Sequence, residues 1–390
     1  DDLLDPEDLA IRDTVRVWAA DRVLPYVAEW YEKGELPGIR ELARELGGIG
    51  ALGMSLDGYG CAGASAVQYG LACLELEAAD SGIRSLVSVQ GSLAMYAIHR
   101  FGSEEQKQTW LPRMASGDVI GCFGLTEPDH GSDPGAMRTY AKRDGGGTSR
   151  SSEAESEGDW VLNGRKMWIT NGSVAGVAVV WAQTDDGIRG FVVPTDSSGF
   201  SAPEIKHKWS LRASVTSELV LDDVRLPADA VLPEVVGLKG PLSCLSHARY
   251  GIVWGAMGAA RASFESAVAY AKTREQFGRP IGGFQLTQAK LADMAVELHK
   301  GILLAHHLGR RMDAGRLRPE QVSFGKLNNV REAIEICRTA RTILGANGIS
   351  LEYPVMRHAT NLESVLTYEG TVEMHQLVLG KALTGLDAFR

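Results

Sequence analysis

The middle third of the chain is patterned differently from its two ends, and this contrast restricts the possible folds most. From about residue 121 to 232, short β-branched and aromatic runs alternate with turn residues. On either side, apolar residues recur every three or four positions, the period of amphipathic helices. Helices, then a small β unit, then more helices indicate an α+β protein with segregated elements rather than a βαβ alternation.

The helical ends suggest three domains in the 390 residues. Apolar residues in 39–46 share one helix face, and apolar or small residues in 291–312 step by three and four along a long helix. We therefore predict an N-terminal helical domain over 1–120, a central β domain over 121–235 and a C-terminal helical bundle over 236–390.

Turn residues divide the central region into short strands. Asn163-Gly164 stands between two apolar runs, which predicts a β-hairpin with a two-residue turn. Residues 185–187 predict a second hairpin in the same way, and residues 219–221 predict another short strand. The Gly-, Ser- and Glu-rich segment 144–158 predicts a solvated loop.

The composition excludes several classes of function. With 40 Lys and Arg against 49 Asp and Glu, the net charge is −9, which disfavours a general nucleic-acid binder. Five scattered cysteines without a C-x-x-C pair predict neither a disulfide scaffold nor a zinc site, and they favour a reducing compartment. The longest uncharged run, residues 167–184, is too polar for a membrane span. We expect a cytoplasmic protein, or a mitochondrial matrix protein if a leader was trimmed.

Some motifs have simpler interpretations. Residues 48–53 fit the dinucleotide pattern G-x-G-x-x-G, but they follow a charged helix rather than a strand, which favours helix-capping glycines and disfavours an NAD-dependent enzyme. His299, His306 and His307 lack a carboxylate or cysteine partner in the pattern, so we predict no metal site.

Two segments contain residue types that are suited to ligand binding or catalysis. Residues 122–134, CFGLTEPDHGSDP, combine a predicted tight turn at Gly131 with hydroxyl groups and exposed amides. Such a loop suits the binding of a flat polar ring or a phosphate, but it is also typical of a junction between domains. The residues alone do not distinguish a binding loop from a junction. Glu369, just before Gly370 at a predicted helix start, suits a base in an apolar site or an ordinary helix cap, and the cap is favoured from the residues alone.

Taken together, four motifs resemble those of the acyl-CoA dehydrogenase family over nearly the whole chain. They are FGLTEP with GSD, W-I-T at 168–170, R-x-x-F-G at 274–278 and YEGT at 368–371, in order and in spacing. The resemblance implies a helical domain, a β domain and a C-terminal four-helix bundle, assembled as a homotetramer. Within the family, the chain is most similar to members that act on glutaryl-CoA.

The resemblance also implies an FAD site. The residues expected to hold the flavin ring are Phe123, Leu125, Thr126, Gly131, Ser132, Trp168, Ile169 and Thr170, with Thr371 contacting FAD from a helix start. Those expected to reach its pyrophosphate and adenine from a neighbouring subunit are Arg274, Phe277, Gln285, Thr342, Gly345 and Ala346. Many relatives carry Gln and Gly where Thr342 and Ala346 stand.

By the same resemblance, Glu369 is the catalytic base that removes the α-proton of an acyl-CoA thioester while a hydride leaves the β-carbon. The amide N–H of Glu369 and a ribityl hydroxyl of FAD would polarise the thioester carbonyl. Ser132 and Arg249 match positions that contact CoA, and Gly370 lets the substrate approach the backbone.

Arg84 carries the prediction of substrate, because relatives that use glutaryl-CoA hold its distal carboxylate with an arginine there. Ser85, Ser88, Glu77 and Tyr368 complete the implied pocket. Leaving such an arginine unpaired costs about 2–5 kcal/mol, enough to decide substrate preference. The alternative is an arginine that extends from a helix end to solvent.

The expected function is therefore FAD-dependent dehydrogenation of glutaryl-CoA, with decarboxylation to crotonyl-CoA and electrons passed to an electron-transfer flavoprotein. Some members of the family stop before decarboxylation, and the sequence alone does not separate the two outcomes. The alternatives are a short-chain or other dicarboxylyl-CoA dehydrogenase and a non-catalytic flavoprotein that serves as a binding module.

Overall fold

The computed structural model describes residues 2–144 and 159–388, and most of the predicted loop 144–158 lies outside the described residues. The N-terminal part is helical. Its helices are α1 (Pro6–Arg22), α2 (Val27–Lys33), α3 (Ile39–Gly48), α4 (Ala66–Ala79), α5 (Ser81–Ser88), α6 (Tyr96–Phe101) and α7 (Glu104–Ala115). A π-helical segment, Val89–Met95, joins α5 to α6. The apolar face predicted within 39–46 is the buried face of α3.

The central part is a sheet built from seven strands of the described chain. They are β1 (Gly121–Gly124), β2 (Tyr140–Arg143), β3 (Trp160–Thr170), β4 (Val177–Thr184), β5 (Gly187–Pro194), β6 (Phe200–Ser201) and β7 (Thr216–Leu226). Their order is β1-β4-β2-β3-β7-β6, and β5 pairs with β4. The hairpin predicted at 185–187 is confirmed, since β4 and β5 run antiparallel with Thr184 opposite Gly187.

The hairpin predicted at Asn163-Gly164 is wrong. Both residues lie inside β3, which runs unbroken for 11 residues and pairs antiparallel with β7. The register shifts between Leu162 and Gly164, where Asn163 faces two residues of β7, so the pair lies opposite a bulge rather than in a turn. Gly164 has φ +149°, and a Cβ there would lie 2.5 Å from Thr139 Oγ1. Glycine is therefore required at position 164 by crowding beside the bulge, although Asn-Gly is also typical of a tight turn.

The C-terminal part is a helical bundle. Its helices are α8 (Lys239–Thr273), α9 (Gln285–Asp313), α10 (Pro319–Leu344), α11 (Pro354–Thr367) and α12 (Val372–Thr384), with a small hairpin of β8 (Glu275–Gln276) and β9 (Arg279–Pro280) after α8. The predicted apolar stripe of 291–312 lies on α9, where Met294, Leu298 and Ala305 are buried. None of the described helices is both long and apolar enough to span a membrane.

Helix α8 connects the three parts. Its first third packs with the sheet around Cys244 and Ala248, its centre packs with α4 through Trp254, and its last third packs in the bundle around Ala267. The predicted order of helices, sheet and helices, and with it the α+β class, is confirmed. One helix thus contributes to all three units, and it places residue 249 near the turn between α11 and α12.

Candidate active site

The turn between α11 and α12 adopts an unusual backbone conformation. Glu369 has φ +54° and Gly370 φ +98°, and Thr371 caps α12 by accepting from the amide of Met374. A left-handed conformation at a residue other than glycine costs about 1–3 kcal/mol and tends to occur at functional sites. Glu369 is thus not the helix-capping residue: the side chain of Thr371 performs that role.

Glu369 is half-buried, and one of its two carboxylate oxygens is buried without a hydrogen bond. Its Oε2 is inaccessible to solvent and has no partner among the described residues. Burial raises the pKa of Glu369, while the nearby cations Arg84, Lys326 and Arg249 act to lower it. A carboxylate that is desolvated, unpartnered and raised in pKa is suited to accept a proton.

Two cations, the half-buried Arg249 and the buried Lys326, hold the backbone of this turn. Arg249 Nε donates to the carbonyl of Glu369 at 2.6 Å. Lys326 Nζ donates to the carbonyls of Tyr368 and of Gly370, the latter at 2.7 Å. Three successive carbonyls therefore accept from cations on α8 and α10.

Lys326 was missed by the sequence analysis. It is 1% exposed and lies on the buried face of α10 between Val322 and Val330. Burial lowers the pKa of Lys326 to about 7, against the effect of Glu369. The signal was present, because a lysine at an apolar position of a helical pattern needs a buried partner.

Arg84 is fully buried at 1% exposure, which excludes the solvent-reaching alternative. Its Nε donates to Glu77 Oε2 at 2.7 Å, and its Nη2 donates to the hydroxyl of Tyr368. Ser85 Oγ lies 3.4 Å from the same hydroxyl, and Ser81 Oγ donates to Glu77 at 2.8 Å. The structure thus brings Arg84 together with Tyr368, the residue directly before Glu369 in the sequence.

Two further features belong to this cluster. Ser88 Oγ, one turn after Arg84 on α5, is buried and has no partner among the described residues. Gly255 on α8 makes room for Glu77, since a Cβ at that position would lie 2.0 Å from its Oε2. The pocket therefore holds one donor with unused capacity and one carboxylate packed directly against a helix backbone.

His375 also borders the turn between α11 and α12, and the sequence patterns did not identify it as a site residue. It is buried, its Nε2 has no described partner, and a Cβ on Gly370 would lie 2.9 Å from that nitrogen. Burial lowers the pKa of His375 to about 3, with help from Lys326 and Arg249. The ring is therefore neutral at physiological pH.

The loop after β1 differs from its sequence prediction in one respect. Its tight turn lies at Glu127–His130, where the backbone groups of these two residues exchange hydrogen bonds of 3.1 and 3.3 Å. Gly131 follows without a left-handed φ, and nothing lies within 4 Å of a Cβ placed on it. The protein around it does not require glycine there, so the open space beside it is available to a ligand.

A buried ion pair joins this loop to β3. Lys166 Nζ donates to Glu127 Oε1 at 2.9 Å and to the carbonyl of Leu125 at 3.1 Å. Burial works to raise the pKa of Glu127, but Lys166 and two backbone amides outweigh it and bring that pKa down to about 2. Met167 N donates to Thr126 O at 2.8 Å, which fixes the loop beside the end of the strand.

The residues predicted to hold a flavin ring divide into two kinds. Phe123, Leu125 and Ile169 have buried side chains, so only their backbones are presented. Trp168, by contrast, is 59% exposed, because a register shift between Lys166 and Ile169 and a φ of +62° turn its side chain outward. Of the other residues in this set, Thr126 and Thr170 are partly exposed and Ser132 is exposed.

The residues predicted to reach a neighbouring subunit form a separate group at one end of the bundle. Arg274, Phe277 and Gln285 are exposed around the β8–β9 hairpin, and Thr342, Gly345 and Ala346 are exposed where α10 ends. Asn347 donates to the hydroxyl of Tyr270, which links the two segments. Among the described residues, no side-chain hydrogen bond, ion pair or ring contact joins this group to Trp168.

Known proteins match the chain throughout. Residues 5–118 match the N-terminal domain of acyl-CoA dehydrogenase, residues 122–224 its middle domain and residues 236–384 its C-terminal domain. A crystal structure of glutaryl-CoA dehydrogenase from Mycobacterium smegmatis is 70% identical, with a TM-score of 0.95 over 99% of this chain and 97% of that chain.

A second structure of a glutaryl-CoA dehydrogenase from Mycobacterium smegmatis, in complex with FADH2, is 64% identical, with a TM-score of 0.95 over 100% of this chain and 97% of that chain. Human mitochondrial short-chain specific acyl-CoA dehydrogenase is 38% identical over 308 residues, which cover 77% of this chain and 71% of the human protein. With all three domains matched in order, this chain belongs to the acyl-CoA dehydrogenase family.

Proposed function

We propose that the protein catalyses FAD-dependent α,β-dehydrogenation of glutaryl-CoA. The observation that carries the proposal is one cluster with a cation and a base: buried Arg84 contacts Tyr368, and the next residue is the unpartnered Glu369. The 70% identity to a glutaryl-CoA dehydrogenase supports it.

The residues around the loop after β1 fit a flavin. Trp168 presents an exposed indole, Thr126 and Ser132 offer hydroxyls, and Gly131 leaves open space next to them. A planar polar ring suits such a wall of one aromatic face and several hydrogen-bonding groups. When bound there, FAD supplies an acceptor for the hydride that leaves the β-carbon of the substrate.

Glu369 would take the proton from the α-carbon. Its Oε2 has no described hydrogen bond to break first, and its raised pKa increases its proton affinity. The amide N–H of Glu369 would donate to the thioester carbonyl and stabilise the negative charge that develops there. Ser132 and Arg249 would contact the CoA portion, as the family resemblance implies.

Arg84 and its neighbours would select the acyl chain. Glu77 and Tyr368 fix two nitrogen atoms of the guanidinium group, so its orientation is set before substrate arrives. Ser88 Oγ is a buried donor that still lacks an acceptor in the described structure. A distal carboxylate would provide that acceptor and a charge-assisted contact with Arg84.

A short-chain acyl-CoA dehydrogenase is the second candidate, and one observation favours it. Glu77 already pairs with Arg84 at 2.7 Å, so the cation is compensated without a substrate carboxylate. The 38% identity to human short-chain specific acyl-CoA dehydrogenase supports the same alternative.

Arg84→Met separates the two candidates. We expect glutaryl-CoA turnover to fall by about 30-fold or more, the equivalent of at least about 2 kcal/mol, while butyryl-CoA turnover changes little. Dye reduction with both substrates measures it. A matched control is Arg261→Met, which removes another arginine from a buried carboxylate, Glu75 at 2.6 Å, outside the site. Equal efficiency of the wild type on both substrates would reject the glutaryl assignment.

We further propose that the glutaconyl-CoA product loses carbon dioxide, because the new double bond lets the thioester accept the electrons of the C–C bond that breaks. The resulting dienolate would then take up a proton at its γ-carbon to give crotonyl-CoA. Mass spectrometry of the same reactions reports this directly. Accumulation of glutaconyl-CoA alone would contradict it.

We also propose an assembly, a compartment and an electron acceptor. Phe277 is 94% exposed and Leu286 is 80% exposed, which supports burial of this end of the bundle in a homotetramer. All five cysteines are free thiols, in keeping with a reducing compartment such as the cytoplasm. Electrons would leave to an electron-transfer flavoprotein, tested by replacing the dye with that protein.

A further inference from the structure

We infer that Lys326 is a positioning residue that sets the geometry and the polarity of the catalytic turn. The inference rests on the proposed function in one respect, that Glu369 is the base. Nothing in the family resemblance assigned a role to this lysine.

The contacts of Lys326 span the base. Its Nζ donates to the carbonyls of Tyr368 and Gly370, the residues on either side of Glu369, which lie 42 and 44 positions away in sequence. Since Glu369 has φ +54°, the turn needs external contacts to remain in this conformation. Lys326 therefore fixes both flanks of the base from a neighbouring helix.

The same contact polarises a particular peptide group. The carbonyl of Tyr368 and the amide N–H of Glu369 belong to one peptide unit, so a cation at the carbonyl oxygen makes that N–H a stronger donor. The proposed mechanism uses this N–H to stabilise the thioester carbonyl. Lys326 thus acts on the reacting carbonyl through a single peptide unit, without touching the substrate.

Lys326 also affects the base by its charge. The groups that face it are Glu369 on the turn, Arg249 on α8, Arg84 on α5 and His375 on α12. Its charge lowers the pKa of Glu369, against the effect of burial. Removal of Lys326 should therefore raise the pKa of the base.

The test compares Lys326→Met and Lys326→Gln with wild-type holoenzyme, using both glutaryl-CoA and butyryl-CoA. We expect kcat to fall about 10- to 100-fold, below the loss for direct removal of an oxyanion donor, with KM changed less than about threefold. The acid limb of the pH profile should move to higher pH. Exchange of the α-hydrogens for deuterium in D2O without an electron acceptor should slow in parallel, which reports proton removal independently of turnover.

Lys208→Met is the matched control, because Lys208 is a half-buried lysine that also donates to two oxygens, Ser214 O and Thr216 Oγ1, each at 2.8 Å. Unchanged kcat, exchange and pH profile in Lys326→Met would overturn the inference. Loss of secondary structure in both Lys326 variants but not in Lys208→Met would also overturn it, in favour of a purely structural role. If wild type prefers butyryl-CoA, the glutaryl assignment fails while the lysine comparison proceeds with that substrate. If wild type neither oxidises nor exchanges either thioester, the proposed function and the inference fall together.

Discussion

The protein contains two buried lysine and glutamate neighbourhoods that are arranged in opposite ways. Beside the loop after β1, Lys166 pairs directly with Glu127 at 2.9 Å, and the carboxylate also accepts from two backbone amides. At the turn after α11, Lys326 donates its hydrogen bonds to neutral backbone carbonyls, and Glu369 Oε2 has no partner among the described residues.

The pKa values follow from this difference. Glu127 has its pKa lowered to about 2, whereas burial raises the pKa of Glu369 despite three cations nearby. A carboxylate with satisfied hydrogen bonds stabilises a fold but is a poor base. A buried carboxylate oxygen without such bonds costs stability, and the group keeps its proton affinity. The same two residue types therefore stabilise the fold in one place and, in the proposed function, take part in catalysis in the other.

The largest expected effect is on activity, from Glu369→Gln. The amide is nearly isosteric but cannot take a proton, so we expect kcat to fall by about 10²- to 10⁴-fold. Glu373→Gln, which changes an exposed carboxylate four residues further on, should leave kcat within about twofold of wild type, as expected of a surface substitution. Dye reduction and flavin absorbance measure both variants. Substantial turnover by Glu369→Gln with full flavin content would show that another group is the base.

Much of the fold was predictable because it depends on local periodicity. The buried faces of α3 and α9 and the hairpin at 185–187 follow from spacing alone. The hairpin predicted at Asn163-Gly164 was wrong, because a crowded site beside a bulge can require the same residue types as a tight turn. Local pattern does not distinguish a chain that reverses from one that only twists.

The site was predictable only where a motif marks it. Glu369 and Arg84 were found through the family resemblance, and their proximity is a fact of the structure. The position of Lys326 on the apolar face of a helical pattern indicates that it needs a buried partner, but its acceptors lie more than forty residues away. Spacing therefore marks this lysine as unusual without identifying the backbone carbonyls that it contacts.

The next effect is on stability, from Glu127→Gln. Breaking a buried pair on one side leaves Lys166 uncompensated, so we expect a loss of about 3–5 kcal/mol in the free energy of unfolding at pH 7. Glu335→Gln, which breaks the exposed pair with Arg338, should cost about 1 kcal/mol or less. Urea unfolding followed by tryptophan fluorescence measures both. Equal, small losses would show that the Lys166 pair adds no more than a surface contact.

The difference in stability between wild type and Glu127→Gln should also depend on pH. The folded pKa of Glu127 lies below its ordinary value of 4.5, so its contribution is complete above 4.5 and is lost as pH falls towards about 2. Glu127→Gln should therefore approach wild-type stability in acid. Glu369, with a raised pKa, acts in the opposite direction: its contribution is present at low pH and is lost as pH rises through its folded pKa.

The smallest expected effect is that of His375→Asn, and it identifies which neighbour of the base titrates. His375 has a pKa of about 3, lowered chiefly by burial, so it is already neutral where the enzyme would work. Its replacement should change kcat by less than about tenfold, below the range for a general acid or base, and should leave the acid limb of the pH profile in place.

Lys326→Met, in contrast, should move that limb, because it removes a charge that faces Glu369. A pH profile of kcat/KM for the two variants side by side decides between them. If His375→Asn abolished the limb, the proton would pass through the imidazole, and the unpartnered carboxylate would no longer explain the chemistry of this turn.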